Sequence, residues 1–152
     1  MQPGYVCLPA GPARLFAVVA SGVAVTIFDK RLDRGGMGHY ARPYRNGRPS
    51  TAMYACPAIV SLVKMFQDTG SVAEDLDAYL YGGAVNHRAA GYVEGVSEDN
   101  VRVGLELLQK LNVSIAGLDV GGTYGRKIIF HAGTGEALVA KVEKLRTTDW
   151  YV

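Results

Sequence analysis

Apolar and polar positions follow one another in blocks whose period shifts between two and about 3.6, and each block predicts an element. Leu15 to Val19 and Val23 to Phe28 are near-continuous runs rich in β-branched, aromatic and small apolar residues. Joined through Ala20-Ser21-Gly22, they predict a buried pair of strands. The charged, glycine-ended stretch from Asp29 to Gly36 predicts a turn, and Met37 to Ala41 a short strand. Over Ala55 to Asp68, the residues Ile59, Leu62, Val63 and Phe66 recur at i, i+3, i+4 and i+7. That is a helical stripe, with Pro57 tolerated in the first turn and Gly70 as the stop. Leu76 to Tyr81 predicts a strand with Asp77 off its buried side. A second helix is expected over Glu98 to Leu111, capped by Ser97, with Val101, Leu105 and Leu108 inward. Val113 to Val120, Lys127 to His131 and Ala137 to Val142 predict three more strands. Two helices among roughly seven strands predict the α+β class, packed β-sheets flanked by helices. One domain over residues 1–152 is expected.

Composition narrows the function classes. The chain is 49% hydrophobic and 20% charged, which excludes a disordered chain. Sixteen Lys and Arg against fourteen Asp and Glu leave no basic stripe. The tightest cluster, Arg42, Arg45 and Arg48, is too small to predict nucleic-acid binding. The longest apolar run, Leu15 to Phe28, falls short of the roughly 20 residues of a membrane helix. No basic residue precedes Arg14, so the signal-peptide pattern is not expected and the protein is read as cytoplasmic. Two cysteines, Cys7 and Cys56, cannot build a disulfide framework and read as free thiols. The 19 glycines are about one residue in eight, against a usual share of about 7%. They cluster in pairs such as Gly35-Gly36 and Gly82-Gly83, expected where strands end in tight turns or backbones approach closely.

Chemistry rests on few side chains. His39 is the candidate catalytic residue, because imidazole titrates near neutral pH and the arginine loop follows it. His87 reads as a loop residue capping local carbonyls, and His131 as the structural end of a strand. No histidine pair has metal-ligand spacing and no Cys-x-x-Cys occurs, so neither a metal nor a cofactor is expected. Cys7, in an apolar setting, and Cys56 each read more readily as inert buried thiols than as nucleophiles. Cys56 does open the first helix, where the dipole would lower a thiol pKa. The segment Leu118 to Gly125 looks like the first phosphate loop of sugar kinases of the actin-like fold. Only 27 residues follow Gly125, too few to complete that fold.

Taken in order, the motifs resemble the CheD family of chemoreceptor glutamine deamidases, over about Leu8 to Leu145. The family core Gly-Ser-Cys-Val-Ala-Val reads here Ala20-Ser21-Gly22-Val23-Ala24-Val25, followed by Asp29. The family's histidine strand matches Gly36-Met37-Gly38-His39, and its Tyr-x-Asp-x-Ala helix opening reads Tyr54-Ala55-Cys56-Pro57-Ala58. Further matches are the turn Gly82-Gly83-Ala84, then Asn100, then Asp119, Gly121, Gly122, Gly125 and Arg126, and finally Thr134-Gly135. The resemblance implies packed sheets with helices outside, similar to the catalytic domain of cytotoxic necrotizing factor toxins.

The resemblance also implies a chemistry: a Cys thiolate attacks a glutamine carboxamide, a His takes the thiol proton, and a Thr orients that His. Carried over by position, the His falls on His39, the Cys on Gly22 and the Thr on Phe16. Two of the three parts are therefore missing. The expectation is a CheD-like binding or regulatory module with impaired catalysis. Its implied partners are chemoreceptor cytoplasmic helices, which the Arg42 to Arg48 loop could meet, or a CheC-like phosphatase. The alternative is an active deamidase with a relocated nucleophile, for which Ser21, Cys7 and Cys56 are the available groups.

Overall fold

The computed structural model describes residues 1–145. It orders eight strands, β1 (Tyr5–Cys7), β2 (Arg14–Val19), β3 (Val23–Asp29), β4 (Arg34–Tyr40), β5 (Leu76–Gly82), β6 (Ser114–Val120), β7 (Gly125–His131) and β8 (Ala137–Val142). The helices are α1 (Ala55–Asp68) and α2 (Val96–Lys110). Five strands form one sheet in the order β1-β4-β3-β5-β6, and three form a second in the order β2-β7-β8. The α+β expectation is met.

Alternation along the central strand builds three layers. Val23, Val25 and Ile27 of β3 turn to one face, where Ile59, Leu62, Val63 and Phe66 of α1 and Val103 and Leu108 of α2 cover them. Ala24 of β3, Met37 of β4 and Tyr81 of β5 turn to the other face, against Leu15, Ala17, Ile128 and Phe130 of the small sheet. The helices thus lie on one side of the large sheet and the small sheet on the other.

Several sequence expectations change. The run from Leu15 to Phe28 does hold two buried strands, yet β2 and β3 belong to different sheets, and the chain crosses between layers at Ala20-Ser21-Gly22. The stretch expected as a turn up to Gly36 already pairs: Arg34, Gly35 and Gly36 oppose Asp29, Phe28 and Ile27. Gly35 and Gly36 lie within a strand because Phe130 presses on the first from the small sheet and Leu62 on the second from α1. Strand β1 was missed, since three residues before Pro9 carry little periodic signal. Ser97 does not cap α2; Gly95, at φ +76°, stands before the helix, and the Ser97 hydroxyl instead donates to the Ala84 carbonyl at 2.8 Å. The inward stripe of α2 is Val96, Asn100, Val103, Gly104 and Leu108. Val101 and Leu105 are only partly buried, because polar Asn100 and small Gly104 hold the positions that face Tyr40.

Candidate active site

The β2–β3 crossing, the end of β5 and the β6–β7 turn meet at one end of the sheets. Gly83 N–H donates to the Gly22 carbonyl at 2.9 Å, and Ala84 N–H to the Ala20 carbonyl at 2.7 Å. Gly121 N–H reaches the Gly82 carbonyl at 2.9 Å, and Val85 N–H the Gly122 carbonyl at 2.8 Å. These glycine segments bond main chain to main chain, with no side chains between them.

Two buried polar side chains lock the arrangement. Asn100, fully buried on the inward face of α2, donates through Nδ2 to the Ser21 carbonyl at 2.9 Å and the Ala41 carbonyl at 3.0 Å. It ties together the ends of the two strands that flank Gly22 and His39. Tyr40 donates to the Asn100 carbonyl at 2.7 Å, and burial pushes its phenol pKa well up. Asn100→Ala strips a donor from two carbonyls at once, each a loss of about 1–2 kcal/mol. Urea unfolding is expected to show a loss of about 2–4 kcal/mol; a loss below about 1 kcal/mol would remove Asn100 from this role.

Arg126, 3% exposed, does the same for the β6–β7 turn. Its guanidinium donates to Asp119 Oδ1 at 3.0 Å, to the Gly121 carbonyl at 2.7 Å and to the Tyr124 carbonyl at 2.8 Å. The kinase-like loop is therefore folded onto its own arginine, with Asp119 engaged in that ion pair.

His39 lies on β4 opposite Ala24, on the face turned to the small sheet, and is 1% exposed. Its Nδ1 is 3.1 Å from the Met1 carbonyl. A carbonyl only accepts, so that bond puts the proton on Nδ1 and turns the Nε2 lone pair toward Gly22. A Cβ at position 22 would stand 3.5 Å from Nε2. It would also stand 2.7 Å from the Tyr40 carbonyl oxygen and 3.3 Å from Ala41 Cα. The imidazole thus faces position 22 in the tautomer a base needs, while the main chain has closed into the space a side chain there would take.

The other candidates separate. Phe16 is exposed, on the face of β2 opposite Leu15 and Ala17, and its carbonyl accepts from the Met1 nitrogen. Ser21 is held by its carbonyl through Asn100. Cys56 is exposed, correcting its reading as buried, and α1 lies across the sheet from His39. Cys7 is partly buried and pairs with Met37, so it shares the sheet face of His39 one rung along. A diagonal pair of this kind is separated by roughly 7–8 Å, beyond direct proton transfer. His87 sits in a loop, 3.3 Å from Glu94, and so pairs with a carboxylate rather than with carbonyls. His131 ends β7 as expected. The sequence reading missed Met1, whose contact with His39 carries no local signal.

A profile described as CheD chemotactic sensory transduction matches residues 41–141, most of the chain. The chain belongs to the CheD family. The probable chemoreceptor glutamine deamidase CheD 1 of Anaeromyxobacter dehalogenans is 31% identical over 142 residues, 93% of this chain and 83% of that protein. The probable chemoreceptor glutamine deamidase CheD of Sulfurimonas denitrificans is 31% identical over 135 residues, 88% of this chain and 86% of that protein. The profile match begins two residues beyond His39, so Gly22 and His39 lie outside it, whereas Asn100, Asp119 and Arg126 lie within. No described helix is long and apolar enough to cross a membrane.

Burial pushes the His39 imidazole pKa down to about 4; the Met1 carbonyl acts against this shift, and the nearby positive Met1 nitrogen adds to it. An unfolded imidazole titrates near 6.5. Below that pH the unfolded chain gains a proton that the folded chain refuses, so stability falls as pH drops from 6.5 toward 4. The loss reaches about 3 kcal/mol. His39→Asn keeps a donor for the Met1 carbonyl and removes the titration. Urea midpoints at pH 7.5, 5.5 and 4.5 are expected to decline more steeply for the wild type than for the variant. Parallel curves would show that His39 is not held neutral.

Proposed function

We propose that this CheD-family chain is a binding or regulatory module of chemotaxis whose deamidase chemistry is impaired, working in the cytoplasm on chemoreceptor helices or a CheC-like phosphatase. The observation that carries this reading is a lone-pair-bearing His39 Nε2 facing Gly22, a residue with no side chain and no room for one. The relatives named above as probable chemoreceptor glutamine deamidases supply the receptor as the partner class.

The docking side follows from the chain path. Strand β4 ends at Tyr40 beside the site, and the exposed Arg42, Arg45 and Arg48 follow closely. Tyr44 pins this loop to α2 by accepting from Arg102 at 2.5 Å. A cationic rim held this way suits an acidic helical surface. The test is a titration with a receptor cytoplasmic fragment carrying glutamines, read for binding and for ammonia. Binding that falls with salt and with Arg45→Glu plus Arg48→Glu, without ammonia, is expected. Failure to bind would sink the module reading.

A second reading has one observation behind it: Cys7 shares the sheet face of His39. A slide of β1 along β4 by one rung would bring its thiol to the imidazole, making an active deamidase with a relocated nucleophile. Ammonia release that vanishes in both Cys7→Ser and His39→Ala would establish this reading in place of the first.

A further inference from the structure

Residues Met1–Gly4 run across His39 ahead of β1. Gly4 N–H donates to the His39 carbonyl at 2.7 Å, and the Met1 carbonyl lies 3.1 Å from His39 Nδ1. The Met1 nitrogen donates to the Phe16 carbonyl on the outer edge of β2. Met1 also packs, partly buried, against the cluster between the two sheets. One short segment therefore touches three groups around position 22 through its main chain: the imidazole, the β4 backbone and the free edge of β2.

The anchoring of this segment is uneven. Tyr5 to Cys7 are paired with β4, but Gly4 holds φ +92° against the Met53 side chain and main chain, and Gln2 is exposed. A left-handed glycine at the junction separates the paired strand from the segment above His39. We propose that Met1–Gly4 is a displaceable strap, which closes the His39 slot in this structure and opens by local release at Gly4 while β1 and both sheets stay folded. The slot it leaves offers the Phe16 carbonyl to a main-chain N–H, so its competitor is an extended peptide segment pairing with the edge of β2. The strap does not depend on the module reading above; it holds for an active or a silent site alike.

The test is acylation of His39 by diethyl pyrocarbonate at pH 7 in the whole chain, located by peptide mapping, with exposed His87 as internal standard. Local opening exposes little surface, so the His39 rate is expected to stay nearly flat as urea rises below the unfolding transition. A rate that climbs with the full slope of global unfolding would overturn the strap, because His39 would then be reached only in the unfolded chain. Gly4→Val, with a branched residue at positive φ, strains the closed form and is expected to raise the urea-independent rate roughly tenfold. An unchanged rate in that variant would also overturn the proposal. Where Gly4→Val does not fold, the urea dependence of the wild-type chain decides by itself.

Discussion

A receptor fragment bearing deamidation-site glutamines is expected to release no ammonia above its spontaneous rate with this chain, and His39→Ala is expected to leave that baseline unchanged. The reasoning is energetic. Covalent hydrolysis divides one hard step into two, and removing the nucleophile from such a unit typically costs roughly four to six orders of magnitude. His39 cannot make up the loss alone. Its pKa of about 4 makes it a weaker proton acceptor than an ordinary imidazole, so water activation is poor at neutral pH. The complementary experiment is Gly22→Cys with Phe16→Thr. The added Cβ meets the Tyr40 carbonyl at 2.7 Å, so the main chain must yield, and a stability loss of about 1–3 kcal/mol is expected. The new thiol would lie beside Nε2, and its alkylation by iodoacetamide is expected to slow when His39→Ala is added. Alkylation indifferent to His39 would mean that position 22 does not face the imidazole. Turnover by the unmodified chain would end the reading of a silent site.

The second large effect is on folding. Gly82→Ala is expected to destabilise the chain by about 4 kcal/mol or more, enough to unfold a domain of ordinary stability. Gly82 holds φ +122°, a conformation that L residues rarely adopt, and a Cβ there would run into the Gly22 carbonyl oxygen. Strain of about 1–3 kcal/mol and overpacking of similar size add, because the obstacle is main chain and cannot rotate away. Gly122→Ala is the control. It holds φ +68°, with nothing within 4 Å of the added methyl, and a loss of about 1–2 kcal/mol is expected. Urea unfolding of the pair reads the difference. Equal losses would show that the approach of β5 to the β2–β3 crossing is not what makes Gly82 necessary.

The amino-acid sequence alone determined the family, both helices and every strand but β1. Helix α1 was legible because its stripe of Ile59, Leu62, Val63 and Phe66 is strictly periodic and buried against one sheet face. The order from Gly22 through His39, Asn100 and Arg126 was legible because a family pattern is carried by spacing, which needs no coordinates. Residues of mixed purpose misled the reading: Gly35 and Gly36 look like a turn yet serve close packing, and Ser97 looks like a cap yet bonds another segment. Tertiary structure decided what depends on residues far apart in the chain. That β2 and β3 lie in different sheets, that Asn100 grips carbonyls 79 and 59 residues away, and that Met1 covers His39 are long-range facts. Local propensity contains no term for them; they arise because each buried polar group must find its partner wherever packing places it.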